Sequence, residues 1–239
     1  MLPRLYTDLA SWMPLLSPPA DHAVEARSLL EILALPPTSE PRTFLELGCG
    51  GGNLASHLHS HFKITLSDIS SEMLRVSQAL NPGAEHVLGD MRSLRLGREF
   101  DVVLIHDAIM YCTTLADLRA AITTAAVHCR SGGTVVVMPD CVRESFEPQT
   151  NTGGEDADDG RGLRYIEWCF DPDPADTTYE TLYGIVMREA NGESHIVLDR
   201  HIEGLFAESE WLESFRLAGL SARVVLDEWS RHVFVGNKV

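Results

Sequence analysis

The chain has 239 residues, and its 35 Asp and Glu residues against 19 Lys and Arg residues give a formal net charge of −16. Such an acidic protein repels the phosphate backbone of nucleic acids, so nucleic acid is excluded as the expected partner. No apolar run reaches the roughly 20 residues of a membrane span, and the N-terminus lacks the order of a signal peptide, which predicts a cytoplasmic protein with no membrane partner.

Strand and helix patterns alternate through the first 140 residues. Apolar residues at helical spacing predict a helix over 21–35, with Asp21 as its N-cap and Pro36 and Pro37 as its stop. Short apolar or β-branched runs then predict five strands, at residues 43–47, 63–66, 85–88, 100–105 and 133–138. Strands separated by helical stretches are typical of a parallel sheet with crossover connections.

The helix before the fifth strand has clear end signals. Thr114 and Asp117 have the spacing of a capping box, and the run up to Cys129 places apolar residues on one helical face. We expect this helix to end at Gly132-Gly133.

The second half of the chain has a different pattern. Residues 151–162 are rich in Gly, Asp and Glu and predict a mobile loop. Strand-like runs follow at 163–170, 179–188 and 195–206, and Asn191-Gly192 predicts a type I′ hairpin between the last two. Ser209 begins a further helix with Leu220 inward and Gly219 at its end, and residues 222–228 and 232–236 form a final hairpin.

These patterns together predict an α/β fold. It is a Rossmann-like, doubly wound sheet of five parallel strands, completed by a C-terminal antiparallel hairpin, with an antiparallel β insert after the fifth strand. Five cysteines without Cys-x-x-Cys or zinc-like spacing predict reduced, buried thiols and no metal site.

A glycine-rich turn follows the first predicted strand. Residues 45–53 read Leu-Glu-Leu-Gly-Cys-Gly-Gly-Gly-Asn, and such glycines let the backbone approach a ligand closely. A dinucleotide fingerprint is the competing interpretation, but Asn53 stands where it requires a third glycine. Glu46 would also repel a pyrophosphate, whereas it suits an ammonium or sulfonium group.

Two further carboxylates follow predicted strands. Asp68 comes after the second strand, where a carboxylate accepts two ribose hydroxyls, and Asp90 after the third could accept from an adenine amine. Met73 or Met91 would pack on the adenine ring. The alternatives are a capping Asp68, a turn-forming Asp90 and core methionines, but the ordered set at strand ends favours a nucleoside site without phosphates.

With these motifs, the chain resembles the class I S-adenosylmethionine-dependent methyltransferase family. The resemblance rests on the Glu46-to-Gly52 turn, Asp68, the Gly89-Asp90-Met91 stretch and Gly132-Gly133, and less specifically the chain is similar to amino-sugar N,N-dimethyltransferases. It implies S-adenosylmethionine as cofactor. The implied cofactor-binding residues are Tyr6, Glu46, Gly48, Cys49, Gly50, Asn53, Asp68, Ile69, Met73, Asp90, Met91 and His106.

The resemblance also implies four regions. They are an N-terminal lid and helix at residues 1–40, a cofactor-binding core at 41–142, an insert over the substrate site at 143–206, and a helix and hairpin at 207–239 that complete the core sheet.

Candidate residues for the acceptor side follow the fourth and fifth strands. His106, Asp107 and Tyr111 are the predicted catalytic residues, because the end of the fourth strand borders the methyl donor in this fold and a hydroxyl acceptor gains from a nearby base. Predicted substrate residues are Asp140, Tyr165, Trp168, Tyr183 and His201, within a set that includes Glu167, Tyr179 and Glu203. The alternative is that these aromatic residues form the packing face of the insert.

The predicted function is methyl transfer from S-adenosylmethionine to a nitrogen or oxygen of a small molecule. A carboxyl acceptor is an alternative, since Arg143, Arg164 and Arg200 lie in the insert region. A nicotinamide-dependent oxidoreductase and a non-catalytic cofactor-binding protein are further alternatives, and a homodimer is open as the assembly.

Overall fold

The structure is a computed structural model that describes residues 2–34 and 42–238. These residues form two β-sheets and five α-helices. In chain order the strands are β1 (Arg42–Leu47), β2 (Phe62–Asp68), β3 (Glu85–Leu88), β4 (Phe100–Ile105), β5 (Cys129–Val137), β6 (Gln149–Gly153), β7 (Gly162–Phe170), β8 (Thr178–Arg188), β9 (Ser194–Gly204), β10 (Leu220–Leu226) and β11 (His232–Lys238). The helices are α1 (Met13–Leu16), α2 (Ala23–Leu33), α3 (Ser71–Leu80), α4 (Leu115–His128) and α5 (Glu208–Leu217).

The main sheet has the strand order β10-β11-β5-β4-β1-β2-β3. Strands β1 to β5 are parallel, whereas β11 is antiparallel to both β5 and β10. Apolar side chains from both faces of β4 and β5 are fully buried under the flanking helices, which explains their near-continuous β-branched sequences. The predicted doubly wound sheet with a C-terminal antiparallel hairpin is confirmed.

Helix α4 begins as predicted and ends earlier than predicted. The amide of Asp117 donates to Thr114 Oγ1 at 3.1 Å, so the N-cap is confirmed. The helix ends at His128, however, and Cys129 already pairs with Phe100 as the first residue of β5. The prediction of an end at Gly132-Gly133 was wrong because the buried Cys129 fits the apolar pattern of either element.

Two other helix boundaries also differ from the prediction. Asp21 lies in a 3₁₀ turn, Pro19–His22, and no side chain caps α2. The predicted stop at residues 36 and 37 lies outside the described residues. At α5 the helix begins at Glu208, and Leu220 is the first residue of β10 rather than part of the helix, because Gly219 with a φ of 77° turns the chain before it.

The insert is a separate four-stranded antiparallel sheet in the order β6-β7-β8-β9. The prediction of a loop over 151–162 was wrong at its start, because residues 151–153 pair with β7 as part of β6. Asp156 then forms an isolated bridge with Gly162, and its carboxylate pairs with Arg164 and Arg188 at 2.8 and 3.0 Å. Local ion pairs therefore order a segment that has no apolar core of its own.

The hairpin between β8 and β9 turns at the predicted residues with a different geometry. Gly192 has a φ of 90°, whereas Asn191 does not have a positive φ. The amide of Glu189 donates to the Glu193 carbonyl at 2.8 Å, which makes a three-residue loop instead of a type I′ turn. The Asn191 side chain accepts the Glu193 amide at 2.9 Å and stabilises this alternative.

Residues 2–17, here called the N-terminal segment, pack against one face of the insert sheet, which we call its inner face. Leu5, Leu9, Trp12 and Leu15 form one apolar cluster with Leu163, Ile185, Met187 and Val197. All five cysteines are free thiols, as the sequence predicted. Four of them are buried as predicted, whereas Cys141 is only half-buried. Within the two described ranges, no helix combines the length and the apolar character that crossing a membrane requires.

Candidate active site

A cleft of about 1220 Å³ opens at the carboxyl ends of the parallel strands, between the main sheet, the N-terminal segment and the insert. Open α/β sheets bind ligands at this edge because the strand order reverses there. The predicted residues that line it are Tyr6, Glu46, Gly48, Cys49, Gly50, Asn53, Asp68, Ile69, Met73, Asp90, Met91, His106, Asp107, Tyr111, Asp140 and Tyr183.

The glycine-rich turn after β1 leaves one carboxylate oxygen without a partner. Gly48 has a φ of 77°, and a Cβ there would collide with the Cβ of Ala108, so only glycine fits. Directly before it, Oε2 of Glu46 is buried and makes no hydrogen bond to any described residue. Burial, with the nearby carboxylates of Asp107 and Asp68, raises the pKa of Glu46 to about 8 although His106 opposes this. A buried, unpaired carboxylate oxygen suits a ligand ammonium group.

Asp68 at the end of β2 is held in place by backbone amides. Its Oδ2 accepts the Gly50 amide and its Oδ1 accepts the Ser70 amide, both at 2.8 Å. Each oxygen keeps a second lone pair, so the carboxylate can accept two ligand hydroxyls as well. Burial raises the pKa of Asp68. Beside it, Ile69 is 47% exposed within the cleft and presents an apolar surface for a flat ring.

Two predicted cofactor residues also make contacts within the protein. Asp90 accepts the backbone amide of Arg92 at 2.8 Å and pairs with its guanidinium at 2.7 Å. Asn53 donates to the carbonyl of Ser17 at 2.9 Å and thereby connects the glycine-rich turn to the N-terminal segment.

His106 belongs to a buried charge network that the sequence did not predict. Its Nε2 lies 2.9 Å from Oε1 of Glu25 and 3.1 Å from Oδ1 of Asp107. Glu25 also pairs with Arg231, which in turn pairs with Asp227 at 2.7 Å. Burial alone would lower the pKa of His106, but the neighbouring carboxylates raise it to about 10. The neighbouring carboxylates therefore favour the imidazolium form of His106, which does not act as a base.

One half of the cleft combines carboxylates with tyrosine hydroxyls. We call it the acceptor half, and it is lined by Tyr6, Asp107, Tyr111, Asp140 and Glu203. Asp140 is exposed to the open cleft, where the nearby carboxylates of Asp107 and Glu203 raise its pKa. Tyr111 Oη lies 2.9 Å from Tyr6 Oη. Because like charges raise the pKa of Asp140, the positive charge of an ammonium ligand would favour the ionised carboxylates, and the arrangement therefore favours a ligand that carries an amine or ammonium group.

Three predicted substrate residues do not line the cleft. Trp168 points to the outer face of the insert, where it is 51% exposed and packs on Phe170, because side chains alternate along β7. Tyr165 packs with the apolar cluster under the N-terminal segment. His201 is buried behind Tyr111.

The three arginines considered for a carboxyl acceptor already have partners. Arg143 donates to the backbone carbonyls of Pro174, Asp176 and Leu205, while Arg164 pairs with Asp156 and Arg200 with Glu180. Of these arginines only Arg200 reaches the cleft.

Comparison with known proteins decides the family. Residues 44–133 match a family model described as a methyltransferase domain. The dTDP-3-amino-3,4,6-trideoxy-alpha-D-glucopyranose N,N-dimethyltransferase of Streptomyces venezuelae is 30% identical over 219 residues, which cover 90% of this chain and 91% of the relative. The chain belongs to the S-adenosylmethionine-dependent methyltransferases.

Solved structures agree with this family. The crystal structure of Streptomyces venezuelae DesVI is 26% identical, covers 92% of both chains and has a TM-score of 0.80. CalS10, an amino pentose methyltransferase of Micromonospora echinaspora solved with S-adenosylmethionine bound, has the same fold, with 22% identity, a TM-score of 0.71 and coverage of 98% of this chain and 92% of that one. The predicted enzyme class and cofactor are confirmed, and the oxidoreductase and non-catalytic alternatives are not favoured.

Proposed function

We propose that this methyltransferase transfers the methyl group of S-adenosylmethionine to the amino nitrogen of a small amino sugar. The observation that carries the proposal is the acceptor half of the cleft, where Asp107, Asp140 and Glu203 surround the tyrosine hydroxyls. Carboxylates attract an ammonium group and would repel a carboxylate acceptor. The relative in Streptomyces venezuelae is named for N,N-dimethylation of an amino sugar, which supports the same acceptor class here.

The other half of the cleft, here called the cofactor half, is lined by Glu46, Asp68, Ile69 and Asp90, and these residues suit the three parts of S-adenosylmethionine. In this proposal the unpaired oxygen of Glu46 holds the ammonium group, Asp68 accepts the ribose hydroxyls, and Asp90 accepts from the adenine amine beside Ile69. When bound, the cofactor supplies an electrophilic methyl group on a sulfonium. Glu46 and Asp68 thus orient the cofactor, and the carboxylates beyond them orient the acceptor.

The acceptor half has to align the amine and exclude water, because methyl transfer is an in-line displacement. His106 is charged in its network with Glu25 and Asp107, so we assign it the role of fixing those two carboxylates rather than the role of a base. Removal of the acceptor's proton therefore falls to other groups in the cleft.

The test is an acceptor panel with the purified protein and S-adenosylmethionine. The panel contains dTDP-3-amino-3,4,6-trideoxy-α-D-glucopyranose, 3-amino-3-deoxy-D-glucose and D-glucosamine, each beside the sugar that carries a hydroxyl in place of the amine. We expect mass spectrometry to detect a mass gain of one or two methyl groups on an amino sugar only. Methylation of the hydroxyl counterparts, or of no amine in the panel, would contradict the proposal.

A further inference from the structure

A chain of hydrogen-bonded side chains runs from the buried part of the insert into the cleft. Asp199 Oδ2 lies 3.2 Å from His201 Nε2, and His201 Nδ1 lies 2.7 Å from Tyr111 Oη. Tyr111 Oη lies 2.9 Å from Tyr6 Oη, and both tyrosines line the cleft. His201 is 2% exposed and Asp199 is 6% exposed, so the far end of the chain is shielded from solvent.

The fold brings these four residues together from three separate elements. Asp199 and His201 are two positions apart in β9 and therefore point to the same face of the insert. Tyr111 ends the turn after β4, and Tyr6 lies in the N-terminal segment. The amide of Leu5 donates to Asp199 Oδ2 at 2.8 Å, so the same carboxylate orients His201 and anchors the residue next to Tyr6.

This row of hydrogen bonds from Asp199 to Tyr6 has two possible arrangements of its protons. Each tyrosine hydroxyl carries one proton, and a neutral imidazole has one N–H. In the geometry of the structure Tyr111 Oη donates to Tyr6 Oη, so Tyr111 accepts from the N–H at His201 Nδ1. When both tyrosine hydroxyls rotate and the imidazole N–H faces Asp199, Tyr111 donates to His201, Tyr6 donates to Tyr111, and the Tyr6 oxygen is free to accept from the cleft. When a proton enters at Tyr6, the two hydrogen bonds that join Tyr6, Tyr111 and His201 Nδ1 reverse, while His201 Nε2 still donates to Asp199, and His201 becomes an imidazolium.

The charged partner of His201 is an ionised carboxylate. Although burial raises the pKa of Asp199, the hydrogen bonds from His201 and the Leu5 amide lower it overall. The titratable groups that face His201 are Asp199 on its own strand, Glu203 beyond it, Tyr183 on β8 with its ring 4.9 Å away, Tyr111 and Tyr6. The pair therefore resembles the His–carboxylate arrangement that stabilises a transferred proton.

We propose that His201, oriented by Asp199, accepts through Tyr111 and Tyr6 the proton that the acceptor ammonium must lose before methylation. This rests on the proposed N-methylation. The ammonium N–H bond breaks, Tyr6 gains that proton while its own passes to Tyr111, and the Tyr111 proton forms the new N–H bond at His201 Nδ1. The free nitrogen lone pair then forms the bond to the methyl group. After product release, the proton returns along the chain to water in the cleft.

The test compares the pH dependence of kcat/KM for the wild type and His201→Gln, with dTDP-3-amino-3,4,6-trideoxy-α-D-glucopyranose or, if another panel amine is methylated faster, with that amine. His195→Gln on the same strand is the matched control, because its half-exposed side chain lies outside the chain of hydrogen bonds. An aliphatic amine has a pKa of roughly 8 to 10 and is mostly protonated at pH 7. We expect His201→Gln to lower kcat/KM about 100-fold at pH 7 and less than about threefold at pH 10, where the free amine needs no base.

Two further variants protect the test against a folding defect. Asp199→Asn and Tyr111→Phe nearly keep the side-chain volume. Asp199→Asn should show a smaller loss, whereas Tyr111→Phe, which removes the link between His201 and Tyr6, should show a loss as large as that of His201→Gln. Both losses should decrease toward high pH. Thermal denaturation of each variant separates misfolding from a catalytic loss. A ratio of kcat/KM between wild type and His201→Gln that stays constant with pH would contradict the proposal. It would mean that His201 has a structural role and that a group such as Asp140 deprotonates the acceptor. Absence of methylation on every panel amine would instead overturn the proposed function.

Discussion

Glu46 and Asp68 are the residues at which sequence and structure agree most closely. Both were predicted from the ends of the first two strands, and both lie in the cleft with free acceptor capacity. Their backbone positions follow from strand ends and glycine turns, which are local features of the sequence.

His106 and His201 were predicted as site residues, but the partners that surround them could not be predicted in the same way. Glu25 and Arg231 are 206 positions apart, and no motif marks either of them. Asp199 and His201 stand in a strand pattern whose burial depends on the N-terminal segment that covers it. Contacts between distant segments depend on tertiary packing, so one sequence read by local patterns does not show them.

The first prediction concerns Glu46. Glu46→Gln should weaken binding of S-adenosylhomocysteine by about 1.5–3 kcal/mol, because it removes a charge-assisted hydrogen bond to the ligand ammonium. Isothermal titration calorimetry measures this as a roughly 10- to 150-fold rise in Kd. Glu31→Gln on the exposed face of α2 is the control and should bind like the wild type. Equal affinity in both variants would remove Glu46 from the site.

The second prediction concerns the proton on Glu46. Since its pKa is raised to about 8, the carboxyl is mostly protonated in the free protein at pH 7, and an ammonium ligand favours the ionised form. Binding of S-adenosylhomocysteine at pH 7 should therefore release close to one proton. Calorimetry in two buffers of different ionisation enthalpy counts it, and Glu46→Gln should abolish the release. Release that persists in the variant would mean that another group titrates.

At the scale of elements, alternation and periodicity predicted which strands and helices exist but not where each one ends. Cys129 satisfied both the helical face of α4 and the start of β5, and tertiary pairing with Phe100 decided in favour of the strand. Residues 151–153 had too polar a composition to indicate a strand, yet the edge of the insert gives their backbone groups hydrogen-bond partners. Both errors arise where long-range pairing overrides local composition.

The third prediction concerns the N-terminal segment, which we propose covers the cleft. Trp12 is buried in the cluster that holds this segment on the insert. Trp12→Ala should cost about 3–5 kcal/mol of packing, locally or globally, and should raise hydrogen exchange at the Leu5 amide as its bond to Asp199 opens. The half-exposed Trp168→Ala is the matched control. Full protection of the segment in Trp12→Ala would contradict its dependence on this cluster.

At the scale of the whole molecule, the sheet edge, the N-terminal segment and the insert enclose a cleft of about 1220 Å³, which is more than the volume of a typical site for one drug-sized ligand. The carboxylates of the acceptor half agree in sign with the net charge of −16, so the field of the protein favours the ammonium group of the acceptor. The homodimer, the cytoplasmic location and the exclusion of nucleic acid stay predictions of the sequence.

The most direct test of the central claim, that this cleft holds S-adenosylmethionine, is thermal stability of the wild-type protein with S-adenosylhomocysteine and, separately, with NADH. A ligand at 100 times its Kd stabilises the folded state by about 2.7 kcal/mol. For a domain of this size, this raises the midpoint temperature of thermal unfolding by roughly 5–10 °C. We predict that rise with S-adenosylhomocysteine and none with NADH. An unchanged midpoint with S-adenosylhomocysteine, or an equal rise with NADH, would contradict the assignment of the cleft.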